Sequence, residues 1–166
     1  TKKDCDVKVE TDECGRAVKL ASLYGNAIVA VRGHVDPTQT LSDFVQAGLA
    51  NGSIQNGTTG LVMDKQPLNL SDTAQVLQSI ERMKPPAGGP NPKETLRHAE
   101  ELSGERAQKV REAVIAYAND QGLRVEADQF RSIGAGIAQP VKPFPNNHVD
   151  ARANMRVEFQ LMTTKR

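Results

Sequence analysis

The chain contains no tryptophan, and aromatic residues make up only 4% of its 166 positions. Its core must therefore come from Val, Ile, Leu and Ala. It has no excess of charge of one sign either: 21 Lys and Arg stand against 20 Asp and Glu, a net charge of +1. That balance argues against a phosphate-backbone binder, which usually needs a concentrated basic face, so no nucleic-acid partner is expected. A local site for a small zwitterion is compatible with it. No apolar run reaches the roughly 18 residues of a membrane span, and nothing resembles a signal sequence. Cysteine is scarce, at two residues, Cys5 and Cys14. Without a CxxC pattern they make no zinc site. They could close a short disulfide loop worth roughly 2–3 kcal/mol, or remain two thiols, one buried on a helix.

Recognisable catalytic and metal signatures are also missing. There is no nucleophile elbow, no HExxH and no persuasive acid/base pair, so the chain is expected not to be an enzyme and to need no cofactor. His34 and Asp36 supply at most two metal ligands, and His98 and His148 stand without supporting acids or thiols. No metal is expected.

The length suits one domain with a substantial core. Cys5 to Glu10 alternate weakly, as a short edge strand would. Asp12 or Glu13 can open a helix carrying Ala17, Val18, Leu20, Ala21 and Leu23, with Gly25-Asn26 as its stop. Ala27 to Val31 is an unbroken apolar run of strand length, suited to a central strand covered on both faces. Leu41, Phe44, Val45, Leu49 and Ala50 suggest a helix starting near Ser42 or Asp43, and Ser71-Asp72 caps another carrying Val76, Leu77 and Ile80. Pro85 to Pro90 is a loop. Residues 38–90 together read as an insertion folded against the single domain 1–166. Asn91 caps a long helix with Pro92 in its first turn, running to about Asn119 and stopped by Gly122. Met155, Val157, Phe159 and Leu161 alternate with Arg156, Glu158 and Gln160 in a closing strand with one wet face. This order predicts an α/β (α+β) two-layer sandwich: a mixed sheet with helices on one face.

One residue breaks the pattern. Leu102, Val110, Ala113, Val114 and Tyr117 trace a buried helical stripe, and Arg106 falls on it, four residues after Leu102 and four before Val110. A guanidinium there must snorkel to the edge of the interface, pair with a carboxylate, or face an anionic ligand. Asp36, at the exit of the first apolar strand, is the candidate partner. The pair could equally be an internal salt bridge.

Four segments in order resemble the OmpA-like (OmpA/MotB C-terminal) domain family. Gly33-His34-Val35-Asp36 resembles its Gly-His-Thr-Asp turn. Leu102-Ser103-Gly104-Glu105-Arg106-Ala107 with Val110 resembles its Leu-Ser-x-x-Arg-Ala-x-x-Val helix start. Gly134-Ala135-Gly136 with Pro140 is similar to its following loop, and Arg152-Ala153-Asn154-Met155-Arg156-Val157-Glu158 to its closing segment. Val35 and Met155 depart from the family's threonine and arginine, and the 38–90 insertion replaces a short loop. The resemblance implies an OmpA-like fold, here carrying a family-atypical helical insertion, that binds peptidoglycan through the diaminopimelate of the stem peptide, held by Asp36 and Arg106. His34, Arg152 and Asn154 would line or support the pocket. It further implies a periplasmic domain that anchors a larger envelope protein to the cell wall. Thr1-Lys2-Lys3 reads as an interior boundary of such a parent, and dimerisation is compatible. Two other readings are a protein-interaction domain that kept the fold and lost the ligand, with 38–90 as its interface, and a cell-wall hydrolase using Asp36 and His34.

Overall fold

The structure, a computed structural model, describes residues 11–162, with side chains from Cys14 onward. The edge strand expected at Cys5–Glu10, and with it any pairing of Cys5 with Cys14, lies outside these residues. Helices pack with a mixed three-stranded sheet, the expected α+β two-layer class. None of the described helices is long and apolar enough to cross a membrane. By its internal contacts the chain forms two compact units, each assembled from segments distant in sequence. Of the described residues, the first holds 11–34, 101–135 and 155–162, and the second holds Val35–Glu100 and Gly136–Asn154.

In the first unit, β1 (Ile28–Gly33) is the central strand, as its apolar run predicts. It pairs in parallel with β5 (Phe130–Gly134) and antiparallel with β6 (Val157–Met162). Val29 and Val31 project to one face and join Phe130, Val157 and Phe159. That face is covered by helix α1 (Thr11–Leu23), through Cys14, Ala17, Val18 and Ala21, and by the long helix through Ala107, Val110, Val114 and Ala118. Each fully buried valine there, and Phe130, adds roughly 1.5–3 kcal/mol of hydrophobic stabilisation.

The long helix α4 (Pro92–Asp120) begins and ends where its caps predict. The Lys93 N–H donates to Asn91 Oδ1 at 3.2 Å, and Gly122, at φ +68°, ends it with the Leu123 N–H returning to the Ala118 carbonyl. Its buried stripe differs from the expected one. Ser103 is 0% exposed and Leu102 is 44% exposed, so the seam runs through Ser103, Ala107, Val110, Val114 and Ala118. Arg106 is half-buried, one position off the seam. The cause is a backbone approach: a Cβ on Gly33 would lie 2.0 Å from the Ser103 carbonyl oxygen. Only small residues fit a crossing that tight, and leucine is turned outward.

The second unit has its own core of Leu41, Phe44, Ala47, Ile54, Val76, Ile80 and Met83. The 38–90 stretch falls within this unit, together with 91–100 and 136–154. Helix α2 (Thr38–Asn51) starts four residues before Ser42, the earlier of the two expected starts, directly after Pro37, and ends in a left-handed Gly52. A three-stranded antiparallel meander follows, β2 (Ile54–Gly57), β3 (Gly60–Met63) and β4 (Gln66–Pro67). Its second turn places Asp64 and Lys65 at positive φ, the backbone form that lets a two-residue hairpin follow the strand twist. These strands went unread because they are short and mostly exposed, and because the second turn, Asp64-Lys65, has no glycine to mark it. Helix α3 (Thr73–Arg82) is capped as expected, with the Gln75 N–H donating to Asp72 Oδ1 at 3.0 Å.

Gly33→Ala is expected to lower unfolding free energy by about 3 kcal/mol, because backbone rather than a flexible side chain blocks the added methyl. Leu102→Ala is expected to cost under about 1 kcal/mol. Urea denaturation of the two variants checks the order; if the leucine proves the costlier, the seam is misassigned.

Candidate functional site

Pro37 fixes the local geometry at Asp36. Proline leaves the preceding residue in an extended conformation and starts the helix behind it. The Asp36 carboxylate then reaches back over the helix start, and Oδ2 accepts the Thr38 N–H at 3.1 Å. Its other oxygen accepts from Asn154 Nδ2, also at 3.1 Å. Asn154, the last residue of α5 (His148–Asn154), is 0% exposed. It donates to the Lys142 carbonyl at 2.9 Å, and its own Oδ1 accepts the Lys142 N–H at 2.9 Å. One buried amide therefore ties a carboxylate to both backbone groups of a single loop residue.

Asp36 is half-buried, and both of its donors are neutral. Within its own unit no cation pairs with it. A carboxylate offers about four lone-pair directions, and two are used. What remains is a fixed anion able to take a cationic donor.

The other expected residues are placed as follows. Asn154 stands with Asp36. Arg152 is on the same short helix but exposed, and its side chain makes no hydrogen bond or ion pair among the described residues. Arg106 and His34 belong to the other unit. Arg106 sits on α4, half-buried, and has no ion-pair partner within that unit. Val35, in place of a threonine in the resembling turn, is buried, and its N–H donates to the Gly136 carbonyl at 3.0 Å.

His34 has a different environment from Asp36. It is 1% exposed, at the end of β1, where its N–H donates to the Arg156 carbonyl at 2.8 Å. Its Nε2 lies 3.2 Å from Glu158 Oε2, and the opposite carboxylate oxygen accepts from Arg156 Nε at 2.5 Å. Burial, and after it the positive charge of Arg156, hold the imidazole pKa below its ordinary 6.5; Glu158 opposes them only in part. For Glu158 burial pushes upward, but the Arg156 hydrogen bond and charge outweigh it, and the carboxyl stays below 4.5. The native chain therefore holds a neutral histidine beside an ionised Glu–Arg pair.

Two residues with structural roles were not marked by the sequence. Lys142 carries no periodic signal; it lies in a segment notable only for its prolines. Buried Gln129 donates from Nε2 to the carbonyls of Ala21, Tyr24 and Ala27 at 2.9, 3.1 and 3.2 Å, closing the C-terminal end of α1. Among the described residues no group of three or more His, Cys, Asp or Glu is placed to hold a metal ion. Comparison with family profiles, with curated proteins and with solved structures found no match.

Asn154→Ala is expected to cost about 3 kcal/mol, because it removes three hydrogen bonds and leaves the Lys142 backbone groups unsatisfied. Arg152→Ala should stay within about 0.5 kcal/mol, as an exposed substitution does. Thermal and urea unfolding distinguish them.

The titration behaviour has a definite sign. Above pH 6.5 the folded and unfolded chains both carry neutral His34, so it contributes nothing to the pH dependence. Below 6.5 the unfolded chain takes the proton first, and stability falls with pH until the folded histidine also protonates. Glu158 adds stability above 4.5 that is lost as pH drops through its folded value. His34→Gln is expected to flatten the loss between about pH 7 and 5 and leave the more acidic loss in place. Urea midpoints across this range test it; an unchanged slope assigns the loss to other groups.

Proposed function

We propose that this chain binds peptidoglycan non-covalently, through the diaminopimelate of the stem peptide, and so anchors a larger envelope protein to the cell wall from the periplasm. The observation that carries the reading is the Asp36 carboxylate, positioned by two neutral donors and without a cation in its own unit. One stereocentre of diaminopimelate presents an ammonium and a carboxylate. Asp36 takes the ammonium, a charge-assisted hydrogen bond of about twice the neutral strength. The resemblance to OmpA-like domains assigns the carboxylate to Arg106, whose planar fork can hold both oxygens. Asn154 acts as a positioning residue that keeps the aspartate from turning away. His34, buried against Glu158, holds the turn that carries Asp36 and does not touch ligand. No bond in the ligand is made or broken, so neither nucleophile nor cofactor is required.

A second reading, a protein-interaction domain that kept the fold and lost the ligand, is favoured by one observation. Val141, Phe144 and Val149 are all exposed on the 136–154 segment, Val149 at 78%.

Calorimetric titration with a diaminopimelate-containing stem peptide decides between them. Saturable binding by the wild type, reduced at least 100-fold in both Asp36→Ala and Arg106→Ala, supports anchoring. No binding by the folded wild type refutes it and leaves the interaction domain.

A further inference from the structure

Asn154 brings a second charged residue to the aspartate. Its Nδ2 is bonded both to Asp36 Oδ1 and to the Lys142 carbonyl, so these two oxygens are separated by at most two hydrogen bonds through one nitrogen. Lys142 is held at its N–H as well. The loop around it contains Pro140, Pro143 and Pro145, whose fixed φ removes much of the freedom such a segment would otherwise have. The backbone of a lysine is thus anchored beside a carboxylate through a fully buried side chain. Yet Lys142 is exposed and has no ion-pair partner among the described residues, and Asp36 has no cation within this unit. A compact ammonium on a flexible four-carbon stem is therefore available to a ligand seated at Asp36.

Resting on the peptidoglycan reading, we propose that Lys142 is an anion-binding residue of the Asp36 site and reads a second carboxylate of the ligand. Diaminopimelate has two carboxyl groups. The resemblance assigns the one on the zwitterionic centre to Arg106. The other, on the centre joined to the peptide, is a free anion only when the stem ends there; a following residue converts it to an amide. Lys142 thus makes the site prefer stems that terminate at diaminopimelate.

The test titrates wild type and Lys142→Gln with two tripeptides, L-Ala-γ-D-Glu-meso-diaminopimelate with its terminal carboxyl free or as the carboxamide. The zwitterionic centre is the same in both. Wild type is expected to bind the free acid about tenfold more tightly than the amide, a preference that shrinks in high salt. Lys142→Gln binds both with the affinity of the amide, and Lys142→Arg restores the preference. Because the lysine is held by its backbone, the glutamine variant keeps the loop, and the acid-to-amide ratio would not move through a merely structural effect. Equal binding of both peptides by wild type, or a preference that survives in Lys142→Gln, overturns the assignment while leaving the peptidoglycan reading standing. Binding of neither peptide by folded wild type overturns both.

Discussion

The site in the second unit depends on a single buried amide. Asn154 has one acceptor and one two-hydrogen donor, and the structure uses them on the two backbone groups of Lys142 and on the carboxylate of Asp36. Asn154 is itself fully buried, so its amide would be costly to leave without these partners. The loop is thereby kept in register with the start of α2, and the aspartate is kept from rotating into solvent. Asparagine is suited to this where aspartate is not: it can donate to an anion and to a carbonyl while accepting an N–H.

A different constraint governs the first unit. The approach of the Ser103 carbonyl to Gly33 leaves no space for a methyl group, and the helix seam is Ser103 and Ala107 at that end, followed by Val110, Val114 and Ala118. Close packing of this kind is sensitive to single atoms. It explains how a chain almost without aromatics seats a long helix on three strands. It also moves Arg106 off the seam to a half-buried position, where a guanidinium needs no buried partner and can meet an anion.

His34 and Asp36, two residues apart in one turn, show how environment separates chemical roles. The histidine is enclosed with a Glu–Arg pair and held neutral. Within its own unit the aspartate meets only neutral donors. The first is buried in neutral form, and the second keeps an anion with no cation in that unit.

Local chemistry alone determined much of this protein. Proline and asparagine at 91–92 and glycine at 122 defined the long helix, an unbroken run of small apolar residues defined β1, and alternation defined β6, since each rests on contacts within a few residues. The same locality made Gly33 to Asp36 legible as a turn with a candidate anion. Tertiary structure decided the rest. Which face of α4 is buried follows from a backbone 70 residues away, so periodicity favoured Leu102 where the close crossing requires Ser103. The meander at 54–67 holds together by cross-strand pairing that its short, mostly exposed strands did not announce. Asn154 gains its meaning only from Asp36, 118 residues distant, because a hydrogen-bonding side chain has no direction in sequence until the fold supplies its partner.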